Sequence, residues 1–127
     1  AVMTHVADIS RTSYSMPPAH GPAIVATILG NPELRAEWEA ELTQMRERMV
    51  GLRKALSDEL VARTGSNRLA ALASQNGMFS QVPVTPEATV EMRERHGLYL
   101  PSSGRMNIAG LRQADIPRIA EILAEYL

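Results

Sequence analysis

The residues of this chain best suited to chemistry are arginines beside turns. The run Ser102-Ser103-Gly104-Arg105-Met106-Asn107-Ile108-Ala109-Gly110 sets one arginine between short apolar runs, with glycines on either side. Alternation of Met106 and Ile108 with Arg105 and Asn107 predicts a short strand with one buried face. Gly104 permits a tight turn just before the arginine. A guanidinium held there is a fixed fork that can grip a carboxylate through two parallel hydrogen bonds. Taken alone, an arginine at a strand start is more simply a surface or ion-pair residue. Two further polar features lie beside turns: Arg11 ahead of Tyr14-Ser15-Met16-Pro17-Pro18, and Asn76-Gly77-Met78-Phe79. Two arginines so placed could hold a dianionic substrate at its two ends, with Phe79 as a wall between them. No acid, base or nucleophile accompanies the set. It reads as the binding half of an active site whose reactive half is elsewhere.

Other chemistries fail on composition or spacing. There is no cysteine, which removes disulfides, thiolate catalysis and cysteine zinc sites together. His5, His20 and His96 are isolated and read as polar surface or cap residues, so no metal site is expected. Neither a phosphate-cradling glycine loop nor a nucleophile elbow occurs. Glu37/Glu41 and Asp58/Glu59 fall on the polar side of a long helix, and Met45/Met49 read as core packing at helical spacing. A net charge of −1 and an aromatic content of 4% argue against a nucleic-acid partner. With no long apolar run and no signal-peptide pattern, no membrane partner is expected and a cytoplasmic location is. Of the 13 basic residues, Lys54 is the only lysine. Any chemistry that needs an amine must use it or do without.

The elements that must position these residues follow from periodicity and caps. At 127 residues the chain is long enough for one core. Val2, Val6 and Ile9 mark one face of a helix already under way at Ala1, so the chain reads as starting inside an element. Met16-Pro17-Pro18 breaks it. Ile24, Val25, Ile28 and Leu29 form a short helix ending at Gly30. Asn31-Pro32-Glu33 opens the next, with asparagine as N-cap, proline in the first turn and an acid beside it. Leu34, Trp38, Leu42, Met45, Met49, Leu52, Leu56 and Leu60 then keep three- and four-residue spacing, which predicts a helix of about thirty residues and about 45 Å. Such a length suggests a strut serving a larger body. After Thr64-Gly65-Ser66-Asn67 come a helical turn at Leu69 and Leu72, a turn at Gln75-Asn76-Gly77, and a strand over Met78 to Val82. A helix capped by Thr85 carries Val90 and Met92 and stops at Gly97. Strands are expected over Leu98 to Leu100 and Arg105 to Ile108, and a last helix from Asp115 to the end. Helices on one face of a small, mostly antiparallel sheet make this an α+β fold with one long helix.

With these residues in view, the chain resembles the C-terminal part of the aspartate and aromatic amino-acid aminotransferases, pyridoxal-phosphate enzymes of fold type I. Arg-Thr-Ser-Tyr-Ser-Met-Pro-Pro-Ala-His-Gly is similar to the family's Arg-x-x-Tyr-Ser-x-Pro-Pro-x-x-Gly. Trp38, Glu41-Leu42 and the Met45-Arg46-x-Arg48 run look like its domain-linking helix. Gln75-Asn76-Gly77-Met78-Phe79-Ser80 and Ser103 to Gly110 match two further signatures. The resemblance implies that residues 1–30 are an interface segment and the end of the large domain, and that 31–127 are the linking helix and small domain. It implies that Arg105 pairs with the substrate α-carboxylate and that Phe79 lines the pocket. Arg11 would reach across a homodimer to the distal carboxylate of a dicarboxylic substrate, and Ser15 would approach the partner's cofactor site. Amino acids and 2-oxo acids would be the substrates, with pyridoxal phosphate in the full-length enzyme and none bound to this chain alone.

One departure limits the resemblance. The family's Schiff-base lysine lies in a Ser-x-x-Lys segment that has no match here, and Lys54, in Leu52-Arg53-Lys54-Ala55, cannot replace it. The chain therefore reads as the last third of an aminotransferase, inactive by itself, with a strut face that invites self-association. A free-standing carboxylate- or protein-binding domain is the alternative. Tyr99-Leu100 followed by Arg105-Met106 leans towards the aromatic branch.

Overall fold

The structure, a computed structural model, describes residues 1–127. It divides into two compact units, Ala1–Leu42 and Thr43–Leu127. In the first unit, α1 (Val2–Tyr14) and α2 (His20–Gly30) are separated by the Pro17-Pro18 break. No residue of either helix is buried. Helix α3 (Pro32–Thr64) starts in this unit with the expected cap: Asn31 Oδ1 accepts from the backbone N–H of Glu33 and of Leu34, at 2.9 and 3.2 Å. It continues unbroken for 33 residues into the second unit, about 50 Å at 1.5 Å per residue.

The even spacing of apolar residues along α3 hides a change of environment. Leu34, Trp38, Leu42 and Met45 are exposed, whereas Met49 is half-buried and Leu52, Leu56 and Leu60 are buried. The expectation that Met45 packs in a core with Met49 is therefore corrected. Only from Met49 onward does the helix side meet the core of its unit.

That core is filled by Leu52, Leu56 and Leu60 of α3 and by Leu69 and Leu72 of the 3₁₀ turn Asn67–Ser74. Met92 comes from α4 (Pro86–His96) and Met106 and Ile108 from around the second strand, while α5 (Ile116–Ala124) adds Ile116, Ile119, Ile122 and Leu123. Helix α4 begins as read from the sequence, with Thr85 accepting from the N–H of Ala88 at 3.1 Å. It ends at Gly97, whose φ of 65° turns the chain left-handed. At α5 the N-cap residue Asp115 makes no side-chain cap bond. The Asp115 carboxylate instead accepts from Arg112 Nε and Nη2, at 2.6 and 3.1 Å, and that bond holds its carboxyl below the ordinary carboxylate range. Helix α5 stops at Ala124 instead of running to the chain end. Beyond it Tyr126 packs edge-on against His96, ring centres 6.3 Å apart. His96 is thus no simple surface residue: its Nε2 is buried, 3.6 Å from Glu125 Oε2.

The sheet is smaller than expected. Strands β1 (Phe79–Gln81) and β2 (Arg105–Asn107) pair antiparallel, with Phe79 opposite Asn107, Ser80 opposite Met106 and Gln81 opposite Arg105. Leu98 to Leu100 is not a strand. Leu98 and Leu100 are half-buried around an exposed Tyr99, so the alternation is present. The segment lacks a neighbour to pair with, and the Leu98 N–H turns back to Met92 O. A turn over Pro101–Gly104, closed by Gly104 N–H to Pro101 O at 2.8 Å, then feeds β2. Gly104 is buried at φ 71°, and a Cβ there would lie 2.2 Å from Val82 O. Its own carbonyl accepts from the Val82 N–H at 2.9 Å. Both the backbone angle and the close approach require glycine. Gly104→Ala should destabilise the chain by about 2 kcal/mol or more, measured by urea denaturation; a loss below about 0.5 kcal/mol would contradict this account.

Candidate carboxylate-binding site

Arg105 opens β2, and the strand's alternation decides which way its side chain faces. Met106 and Ile108 point into the core, at 3% and 0% exposure, leaving Arg105 and Asn107 on the open face. Across the pair, Ser80 faces inward opposite Met106, and Phe79 and Gln81 share the open face. The Arg105 guanidinium carbon lies 4.7 Å from the Phe79 ring centre. A cation over an aromatic face is attracted by the ring quadrupole, worth about 0.5–1 kcal/mol at an exposed site. The ring leaves the in-plane N–H donors unused. Arg105 takes part in none of the ion pairs of the chain. Its neighbourhood is a cleft of about 350 Å³, walled by Phe79, Tyr99, Leu100, Pro101 and Asn107. An apolar-walled cleft with one free guanidinium fork can hold a planar carboxylate attached to a carbon skeleton.

The strand pair is fixed from below by α3. Arg53 is buried, at 2% exposure, and donates from Nε to Ser80 Oγ at 3.1 Å and from Nη2 to Gly77 O. Arg48 donates from Nη1 to Ala109 O at 3.1 Å and from Nη2 to Leu111 O at 2.7 Å. Sequence reading missed both. A signal existed for Arg53, which falls three and seven residues before Leu56 and Leu60, on the apolar side of the helix.

The structure brings Arg105 and Phe79 together. Arg11 and Ser15 lie in the other unit, at the end of α1, where the Ser15 N–H bonds to Arg11 O at 3.1 Å. Both are exposed, and Arg11 too takes part in no ion pair. Ser15, at φ 53°, is the only non-glycine residue with positive φ. Lys54 is exposed and paired with Asp58 at 2.5 Å. No group of three or more His, Asp or Glu side chains could hold a metal ion. No helix is long and apolar enough to cross a membrane.

The family model for aminotransferase class I and II matches residues 1–123. A tyrosine aminotransferase of Rhizobium meliloti (strain 1021) is 50% identical over 119 residues, which are 94% of this chain and 30% of that protein. The aspartate aminotransferase of Escherichia coli (strain K12) is 40% identical over 117 residues, 92% of this chain and 30% of that protein. Among solved structures, an aromatic-amino-acid aminotransferase from Burkholderia pseudomallei, covalently bound to pyridoxal phosphate, superposes with a TM-score of 0.89 at 37% identity, covering 98% of this chain and 31% of that one. The chain spans about 30% of the length of the curated relatives it matches. With a family match across nearly its whole length, the chain belongs to the class I and II aminotransferases.

Proposed function

We propose that this chain is the C-terminal part of an aspartate or aromatic amino-acid aminotransferase, with residues 1–30 forming an interface segment and 31–127 the linking helix and small domain. The parent enzyme moves an amino group between aspartate, glutamate or an aromatic amino acid and a 2-oxo acid. Family membership implies pyridoxal phosphate in the full-length enzymes, where it supplies the electron sink for amino-group transfer. The residues of this chain do not fit the part of that site that needs an amine. Lys54 is the only lysine and is committed to Asp58 on the exposed side of α3. The role of this chain is recognition.

The observation that carries the reading is Arg105: a guanidinium with no ion-pair partner, resting on Phe79 at 4.7 Å in an apolar-walled cleft. In the proposed enzyme Arg105 grips the α-carboxylate common to every amino acid and 2-oxo acid substrate. Phe79 orients the guanidinium and closes one side of the pocket. Arg11, exposed at the end of α1, takes the distal carboxylate of a dicarboxylic substrate bound to the other subunit of a homodimer, and Ser15 approaches the partner's cofactor.

Arg105→Leu in the full-length enzyme should lower kcat/KM about a hundredfold or more for all substrates, since a charge-assisted bidentate contact is lost. An unchanged kcat/KM would end the assignment. Arg11→Leu should act selectively, costing at least about tenfold in kcat/KM for aspartate while sparing phenylalanine; equal losses on both would refute the distal-carboxylate role. The isolated 127-residue chain should retain no pyridoxal-phosphate absorbance after gel filtration, and a retained band would contradict its lack of a Schiff-base lysine.

A further inference from the structure

We infer that Arg53 is a positioning residue for the Phe79–Arg105 pair, a role that rests on Arg105 being the carboxylate-binding group. Arg53 carries a full charge at 2% exposure and belongs to none of the ion pairs. Its acceptors are neutral: Ser80 Oγ and Gly77 O. A buried cation without a carboxylate partner is a poor way to stabilise a core, and apolar atoms of the same volume would pack there at lower cost. What the guanidinium supplies and an apolar chain does not is a rigid planar fork. Nε and Nη2 share one edge of that fork, so two points of the segment Gly77–Ser80 are held at a fixed separation and angle.

Phe79 lies inside the segment so held. Gly77, at φ 82°, gives its turn no stiffness of its own. The ladder is short: β1 and β2 are three residues each, with one further bond at either end, from the Ile108 N–H to Met78 O at 2.8 Å and from the Val82 N–H to Gly104 O at 2.9 Å. Rotation of this segment would carry the Phe79 ring out from under Arg105. Arg48 secures the other side, holding Ala109 O and Leu111 O just after β2. One helix thus holds β1 at Ser80 and the chain just after β2, and the direction of the Arg105 fork is referenced to α3.

The chain contains a single phenylalanine, so incorporated 4-fluorophenylalanine reports Phe79 alone. In the 127-residue chain, the fluorine resonance should move in Arg53→Met and in Ser80→Ala in the same direction as in Arg105→Leu. Arg53→Lys, which keeps a donor and the charge, should restore part of the shift. Should Arg53→Met fail to fold, Ser80→Ala, which removes only the Nε acceptor, carries the test. Folded Ser80→Ala and Arg53→Lys chains with wild-type resonances would overturn the proposal, even with lowered thermal midpoints, because stability would then be all that Arg53 supplies. In the full-length enzyme the same two variants should raise KM for amino acid and 2-oxo acid alike, by about tenfold, with kcat changed less than KM. A fluorine shift in these variants with unchanged KM would overturn the link from Arg53 to carboxylate binding, whereas only an unchanged kcat/KM in Arg105→Leu would remove Arg105 from that binding.

Discussion

The side of α3 that carries Leu52, Leu56 and Leu60 is the surface on which the Thr43–Leu127 unit is assembled. These three residues are almost fully excluded from water, and the 3₁₀ turn, α4, α5 and the inner face of the strand pair complete the same core. Burying each leucine is worth about 2 kcal/mol, but the consequence for function is geometric. A two-stranded ribbon of three-residue strands has little stability of its own. It keeps its shape because Met106 and Ile108 are anchored in the core that α3 organises, and because arginines of α3 hold Ser80 Oγ in β1, Gly77 O just before it, and Ala109 O and Leu111 O just after β2.

The turn before β2 shows the same dependence from the other side. Gly104 is squeezed against Val82 O, donates its N–H to Pro101 O and accepts from the Val82 N–H. That compact turn aims β2 so that its alternation places Met106 inward and Arg105 outward. The strand hydrogen bonds, the apolar anchors and the glycine turn therefore agree on one direction for the Arg105 guanidinium. Phe79, delivered by the neighbouring strand, sets its tilt. A side chain on a three-residue strand is as well oriented as the elements beneath it, and here those elements are a helix and a packed core.

Much of this was legible from residue types. Asn31 and Thr85 cap their helices as their positions required, Gly97 ends α4 in the left-handed region, and the Arg105 to Ile108 alternation matches the burial found. The misreadings share a cause. Leu98 to Leu100 has a strand's alternation but no neighbour to pair with, and a ladder cannot be read from one segment. Met45 continues an apolar period beyond the place where anything packs on it. His96 looked solitary because Glu125 and Tyr126 are distant in sequence.

Residue order by itself determined the helices, their caps, the turn glycines and the inward and outward faces of β2, because these depend on local sterics and on a period of two or 3.6 residues. It also determined that one lysine and twelve arginines are available. Only the tertiary structure decided that Arg105 rests on Phe79, that Arg53 is buried beneath them, and which half of the α3 stripe becomes core. The contacts concerned span 26, 24 and 27 positions (Arg105 to Phe79, Arg53 to Gly77, Arg53 to Ser80). They exist because burying apolar area brings remote segments together, and no local pattern records which segments those will be.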